Sequence, residues 1–218
     1  MSLTREDRFK HLARIIKRQT NDRLKEFRQY TLEIESKFDS DKDALSRQYN
    51  QRVAGLSADE VSEIDDYFSD YYYTIEDTYI GQHRRSTLVS IYSFLEHAMN
   101  HLCKHVTKKN GYQFAVEDLR GEGIQRASTY LKKTASADFN ALNDEWSVLK
   151  TLNKVRNCIV HNEGDVTVLK SSELADLVNK ITGLSLRNDR LISVEREYVD
   201  HCITTVESFL DKLYKQVL

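Results

Sequence analysis

Hydrophobic residues recur every three to four positions along most of the chain, which is the spacing of one face of an α-helix. In the first eighty residues this pattern covers about 5–38 and 41–55 and predicts a long helical arm. A further helix is predicted from Ser57 to about residue 78. Ser57 and Glu60 form a capping box at its start, because a serine and a glutamate three residues later satisfy free backbone N–H groups.

The rest of the chain predicts four more long helices and one small β-hairpin. Segments 184–186 and 191–194 alternate around Asn188 and Asp189, a turn-prone pair. The expected fold is therefore all-α, a helical bundle (81–218) with a long N-terminal helical arm (1–80) and one β-hairpin before the last helix. The predicted helices span about 82–109, 117–136, 141–162 and 195–217, with a short segment near 172–182.

Composition supports a helical, globular chain. It contains no proline and seven glycines among 218 residues, so residues that break helices are scarce. Hydrophobic residues make up 40% and charged residues 30%, which excludes a disordered or low-complexity chain. The net charge of -2 excludes a general polycation that coats nucleic acid through bulk charge.

Cysteine use and the apolar runs indicate a cytoplasmic protein. Cys103, Cys158 and Cys202 form an odd set without a CxxC motif, which suits a reducing compartment. The first residues, MSLTREDRFK, lack the apolar core of a secretory signal. Apolar residues never run together over the length that a membrane helix needs, so no membrane contact is expected.

Charge is distributed unevenly along the arm. Residues 1–28 contain nine Lys and Arg against four acidic residues, a net charge of +5, whereas 57–80 contain eight acidic residues and no basic one. Solvated helix faces that are polarised by chance are the simplest interpretation, although the two segments could attract each other. The alternatives are a basic arm that gathers RNA phosphates, with the acidic helix as neighbour or mimic, and docking of a protein partner.

Arg156 stands out in the predicted helix 141–162. With about 100° per residue, it falls at about 40° from Leu152, inside the core face. An arginine keeps its proton and is rarely buried unless an anion meets it, so a carboxylate, a partner chain or a substrate phosphate should lie against it. Glu96, at the edge of the core face of helix 82–109, is the candidate internal carboxylate. The core face of helix 141–162 consists of Val148, Leu149, Leu152, Val155, Ile159 and Val160.

Asn157 and His161 lie four residues apart on another side of the same helix, so their side chains can touch. His161 is in the last turn, where the helix dipole favours the protonated ring and suits it to proton transfer near neutral pH. The directions of Arg156 and His161 differ by about 140° on an ideal helix, so one helix does not focus both on a single atom. A cleft between two such helices in a symmetric dimer would bring Arg, Asn and His together.

Residues 156–161, RNCIVH, resemble the R-x(4–6)-H signature, in its RNxxxH form, of the HEPN family (higher eukaryotes and prokaryotes nucleotide-binding). Segments 86–103 and 123–131 are similar to those that precede the motif in many members, and the resemblance covers about 82–218. It implies an antiparallel helical bundle that forms a homodimer. Many members are metal-independent endoribonucleases of toxin–antitoxin, phage-defence or RNA-processing systems, and others are inactive scaffolds.

The resemblance also implies roles for the site residues. His161 would act as general base or acid on the RNA 2′-hydroxyl, which attacks the adjacent phosphorus, while Arg156 stabilises the transition-state charge and Asn157 orients the histidine or the phosphate. The products would be a 2′,3′-cyclic phosphate and a 5′-hydroxyl, with no metal or cofactor. RNA and a second copy of the chain are the expected partners, and an antitoxin or another protein is a further candidate. Some family toxins carry a modified tyrosine two residues after the histidine; Glu163 stands there, so that regulation is not expected.

A histidine stripe offers a competing site. His97, His101 and His105 recur every four residues on helix 82–109, a spacing that can hold a metal. They are predicted to face away from the core, and no cysteine or carboxylate is placed to complete a dry site. A solvated or partner-facing stripe is therefore expected.

Two further functions remain open on the sequence. The first is a non-catalytic helical dimer of the same ancestry that binds nucleic acid or a protein. The second is a helical adaptor whose N-terminal arm is the working surface and whose motif is a coincidence. The bare spacing recurs at Arg5 with His11 and at Arg196 with His201, although neither copy has the asparagine or the surrounding apolar face.

Overall fold

The computed structural model describes residues 4–169 and 171–218, which form a mostly helical (79%) bundle. The predicted all-α fold, with a long N-terminal helix and a hairpin before the last helix, is confirmed. The elements are α1 (Arg5–Val53), α2 (Ala58–Tyr73), a π-helical segment (Thr74–Ile80), α3 (Gly81–Asn110), α4 (Gly123–Ala135), α5 (Asn143–Asn162), α6 (Glu173–Val178), β1 (Leu184–Arg187), β2 (Leu191–Val194) and α7 (Arg196–Val217), with 3₁₀ turns at Val116–Asp118 and Val166–Val168.

The arm begins with a single helix of 49 residues, where the pattern predicted two segments with a break near residue 40. Glycine and proline are absent from 5–53, and Lys37 pairs with Asp41 across the expected break, so the helix continues. Thr4 caps its start, because its hydroxyl oxygen accepts a hydrogen bond from the Asp7 N–H at 3.1 Å. Neither α1 nor any other helix in the described ranges is both long and apolar enough to cross a membrane.

The main hydrophobic core lies where α3, α5 and α7 pack against one another. Leu95, Leu152 and Phe209, one from each of these helices, are completely buried there. Ile16 and Leu24 in the first half of α1 are 3% and 2% exposed within the same core. The first half of the arm is therefore built into the bundle, and removing it would expose core residues.

A second, smaller core joins the rest of α1 to α2. It consists of Leu45, Phe68, Ile75 and Ile80. The acidic segment thus packs on the second half of α1 and not on the basic residues 1–28. Within the described residues no ion pair links 1–28 to 57–80, and Arg28 instead contacts acidic residues of α7. The electrostatic attraction between these two segments, which the sequence allowed, is therefore not observed within the described part of the chain.

A buried ion pair fixes α1 to α3. Arg84 donates from Nε and Nη2 to the two carboxylate oxygens of Glu35, at 2.8 Å each. Glu35 is 2% exposed, so the pair is shielded from water. It lies just beyond the π-helical segment, through which α2 continues into α3, and the predicted domain boundary at residue 80 falls at this junction.

The predicted hairpin forms by an antiparallel pairing of β1 with β2, with Leu184 opposite Val194 and Arg187 opposite Leu191. Asn188 and Asp189 both have positive φ, 51° and 55°, as the tight turn between two twisted strands requires. The chain after α5 joins the edge of this hairpin, because the Ile192 N–H donates to the Gly164 carbonyl at 2.9 Å. The end of α5, which carries the candidate histidine, is thereby held against the hairpin.

Candidate functional site

The three residues of the predicted motif lie on the C-terminal half of α5. The helix buries Leu149, Leu152 and Val155 completely. This orientation places the motif at the edge of the core. The helix ends in two residues with left-handed backbone, Glu163 (φ 54°) and Gly164 (φ 84°). The Gly164 N–H donates to the carbonyl of Cys158 at 3.1 Å, which closes the helix just after His161.

Arg156 is half-buried, although its wheel position places it inside the predicted core face. Its guanidinium carbon lies 5.3 Å from the ring centroid of Tyr92 on α3, a cation–π contact. Its Nη1 donates to Oδ1 of Asn157 at 2.9 Å. Its Nε is buried without a hydrogen-bond partner, and no carboxylate among the described residues lies within 4.0 Å of the guanidinium. The cation is therefore held by an aromatic face and an amide, and its charge is not neutralised within the chain.

Glu96, the predicted internal partner of Arg156, does not form an ion pair with it. The Glu96 carboxyl group lies beside Gly123 at the start of α4, where a Cβ atom would be 3.7 Å from its Cδ and 3.3 Å from the Tyr92 hydroxyl. Tyr92 is 2% exposed. It fills the position next to Arg156 that the prediction gave to the carboxylate.

Tyr92 stays a neutral phenol. Burial raises its pKa to about 12, the negative charge of Glu96 acts in the same direction, and the positive charge of Arg156 opposes both. Its ring face contacts the guanidinium of Arg156. A signal for this residue exists in the sequence, because Tyr92, Arg85 and Glu96 all fall at about 60–100° from Leu95 on the α3 wheel, at one edge of its core face.

Asn157 links the arginine to the face that carries the histidine. It accepts the hydrogen bond from Arg156, and its side chain lines a cavity of about 450 Å³ together with His161. The prediction that Asn157 and His161 project on one side is therefore confirmed. Lys154 and Glu173 border the same cavity and pair with each other at 2.6 Å.

His161 is exposed and borders two depressions. One is the cavity shared with Asn157, and the other is a groove of about 730 Å³ that continues toward the hairpin and α3. Arg156 lines neither of them. Within one chain Arg156 contacts Asn157, which lines a cavity with His161, but the arginine and the histidine do not point into one pocket, as the ideal helix predicts.

The histidine stripe divides into two parts. His97 and His101 are exposed and stack with ring centroids 6.4 Å apart, as predicted for a solvated stripe. His105 is only 4% exposed, so the prediction is wrong for this residue. α1 covers it, and Phe9 contacts its ring edge to face at 5.6 Å. Among the described residues no group of three or more His, Cys, Asp and Glu side chains is placed to hold a metal ion.

Comparison of the chain with protein-family models, curated proteins and solved structures finds no match. Support for a function therefore comes from the geometry of α5 and the elements around it.

Proposed function

We propose that this protein is a metal-independent endoribonuclease of the HEPN type that acts as a homodimer. The observation that carries the proposal is Arg156. A half-buried guanidinium without a carboxylate partner in the described chain, fixed by Tyr92 and Asn157, is suited to receive an anion from outside the fold. A phosphodiester is the anion that a guanidinium fork and a neighbouring histidine are suited to bind and cleave.

Each residue of the motif has one role in the proposed reaction. His161 takes the proton of an RNA 2′-hydroxyl, whose oxygen then forms a bond to the adjacent phosphorus. The bond from phosphorus to the 5′-oxygen breaks, and this oxygen takes a proton from water. Arg156 stabilises the extra negative charge on the phosphoryl oxygens, and Asn157 keeps the guanidinium in position. The products are a 2′,3′-cyclic phosphate and a 5′-hydroxyl, so DNA is not a substrate.

A second copy of the chain supplies what one α5 helix cannot. Arg156 and His161 diverge on their own helix, whereas two helices related by a two-fold axis can place Arg156 of one copy opposite His161 of the other. Val160, between Asn157 and His161 in the sequence, is 45% exposed, which supports an apolar contact at this position. The proposed partner contact therefore runs along the end of α5.

The test is RNA cleavage in excess EDTA. Wild-type protein is expected to cut single-stranded RNA and leave cyclic phosphate ends, and His161→Ala should reduce the rate by about 10²–10⁴-fold, as loss of a general base does. Arg156→Ala should reduce it by about 10²–10³-fold. His97→Ala is the matched control, because this histidine is exposed and lies outside the motif. Absence of cleavage by the wild-type protein would overturn the proposal.

The dimeric site has a separate test. Folded His161→Ala and Arg156→Ala proteins should each keep about 1% of the wild-type rate or less, but a mixture that exchanges subunits contains dimers in which one composite site is intact. Activity of the mixture up to about a quarter of the wild-type level is the expected result, since half of the dimers are mixed and each has one of two sites. An inactive mixture whose subunits are shown to exchange would contradict a composite site.

A non-catalytic dimer that binds nucleic acid is the second candidate. It is favoured by one observation, that Arg156 borders neither of the depressions next to His161 within a single chain. Binding of RNA without cleavage by the wild-type protein, weakened equally by Arg156→Ala and by Arg156→Lys, would support this candidate over the ribonuclease.

A further inference from the structure

The groove next to His161 holds two arginines that the motif does not include. It has a volume of about 730 Å³ and lies between the start of α3, the end of α5 and β2. Arg85 from α3 and Arg190 from the hairpin turn border it together with His161, and Glu163 and Asp165 contribute two carboxylates. The groove therefore joins the proposed catalytic histidine to a separate pair of cations.

Arg85 is half-buried but has no carboxylate within 4.0 Å in the described part of the chain. Its Nη2 donates to Oε1 of Gln82 at 3.3 Å, which is a neutral acceptor. Its stem runs beside Gly164, where a Cβ atom would lie 3.6 Å from the Arg85 Cδ. Removing a guanidinium from water without an opposite charge is unfavourable, so this position indicates an anion that comes from outside.

The acidic residue whose charge acts on Arg85 is already engaged. Asp77 pairs with Arg187 at 2.5 Å. Burial lowers the pKa of Arg85, the positive charge of Arg187 lowers it further, and Asp77 acts in the opposite direction without cancelling these effects. Asp77 is thus engaged by Arg187 and does not neutralise Arg85, which borders the groove.

Arg190 is held in place by a different carboxylate. Asp165 is 6% exposed and receives hydrogen bonds from the backbone N–H and the hydroxyl of Thr167, at 2.8 and 2.6 Å. The Arg190 Nε donates to its other oxygen at 2.6 Å. This single contact fixes the side chain, and in the described residues the two terminal nitrogens of Arg190 have no hydrogen-bond partner. They are free to donate to a ligand in the groove.

We infer that Arg85 and Arg190 form a phosphate-binding subsite beside His161, which holds a backbone phosphate of single-stranded RNA next to the bond that is cut. The identity of the ligand rests on the proposed function, while the anion site follows from the two arginines. Two forks of N–H donors that meet at one groove are suited to the non-bridging oxygens of a phosphodiester. Glu163, at the same groove, repels the bound strand and limits its affinity.

Binding of RNA that cannot be cut tests the subsite separately from catalysis. The probe is a short single-stranded RNA with 2′-O-methyl groups, which lack the attacking hydroxyl, and the affinity of the full chain is measured by fluorescence anisotropy at several salt concentrations. Arg85→Ala should weaken binding by about tenfold, since hydrogen bonds to a charged group contribute about 1.5 kcal/mol or more and tenfold is 1.4 kcal/mol. The slope of log affinity against log salt should fall by about 0.7, the value for one phosphate contact on a single strand.

Two further variants make the result specific to the groove. Arg120→Ala removes an exposed arginine in the loop before α4 and should leave both affinity and salt slope unchanged. Glu163→Gln should tighten binding, because it removes the negative charge at the groove. Arg190→Ala, at a largely exposed side chain, provides the test if Arg85→Ala does not fold.

The outcomes separate the subsite from the ribonuclease. Weaker binding by Arg85→Ala with no cleavage by any variant upholds the subsite and overturns the proposed catalysis. Equal binding by Arg85→Ala and wild type, with RNA cleaved normally by both, overturns the subsite and leaves the ribonuclease in place. Equal losses in Arg85→Ala and Arg120→Ala, or no RNA binding by the wild-type chain, also overturn the subsite.

Discussion

The ion pair between Glu35 and Arg84 is predicted to hold the N-terminal arm on the bundle. In Glu35→Ala, Arg84 keeps only the Val194 carbonyl and a Glu195 oxygen, both at 3.3 Å. Removing one partner of a buried pair destabilises a fold by about 3–5 kcal/mol, and the two remaining acceptors place this variant near the lower end, at about 3 kcal/mol. For a chain of this length, that loss lowers Tm by about 6–12 °C.

The pH dependence of this effect has a definite sign. Burial raises the pKa of the Glu35 carboxyl, but the hydrogen bonds and positive charge of Arg84 lower it more, so the pKa lies below its ordinary value of 4.5. A carboxyl group with a lowered folded-state pKa stabilises the fold fully above its unfolded pKa, and this contribution is lost as pH falls through the folded pKa. The Tm difference between wild type and Glu35→Ala should be constant above about pH 5.5 and shrink below pH 4.5.

Thermal unfolding followed by circular dichroism measures both effects. Glu6→Ala is the control, because Glu6 pairs with Lys10 on the exposed face of the same helix and such a pair contributes little. The double variant Glu35→Ala with Arg84→Met should recover much of the lost stability, since no buried charge is left without a partner. A Tm for Glu35→Ala equal to that of Glu6→Ala, or a difference that does not shrink in acid, would refute the proposed role of the pair.

Three other predictions concern the backbone, the site and the thiols. Gly183→Ala should lower Tm clearly more than Gly55→Ala. Both glycines have positive φ, 82° and 84°. A Cβ at 183 would lie 2.9 Å from the Cβ of Tyr198, whereas a Cβ at 55 would have no neighbouring atom within 4 Å. Tyr92→Leu should slow RNA cleavage about 5- to 30-fold while Tyr92→Phe keeps the wild-type rate, because the aromatic face and not the hydroxyl contacts Arg156; equal rates in both variants would contradict this. Burial raises the pKa of the Cys103 and Cys202 thiols to about 12. These thiols should therefore react slowly with a disulfide reagent at pH 8 in the native protein and rapidly in denaturant. Fast labelling of either thiol in the native protein would disprove their burial.

Local sequence signals were sufficient for most of the fold. The helical spacing of apolar residues located α3, α5 and α7, and the Asn188-Asp189 pair located the hairpin turn, because both signals depend on neighbours a few residues away. The Glu60 carboxylate accepts from the Ser57 N–H at 2.9 Å, as the capping motif predicts. The predicted break in α1 is absent because a short polar stretch interrupts the apolar pattern without interrupting helix formation.

Contacts between distant segments could not be read in the same way. The burial of His105 depends on Phe9, nearly a hundred positions earlier, lying across α3. Arg156 contacts Tyr92 and not Glu96, although both residues are on the same edge of α3. The two residues lie one helical turn apart, and only Tyr92 lies at the level of Arg156. The groove beside His161 forms only where α3, α5 and the hairpin pack together, and the periodicity of a single segment does not predict that packing.

Three partly buried arginines show that the groups in contact with a guanidinium indicate its function better than the extent of its burial does. Arg84 meets a buried carboxylate in a bidentate pair, so its charge is neutralised and its role is to join two helices. Arg156 meets an aromatic ring and an amide, and Arg85 meets a single neutral amide oxygen, so a carboxylate neutralises neither of these half-buried cations. Folding alone would favour an apolar residue or a nearby carboxylate at these two positions. The presence of these two unpaired arginines is accounted for if an anion, here an RNA phosphate, completes each of them only when substrate binds.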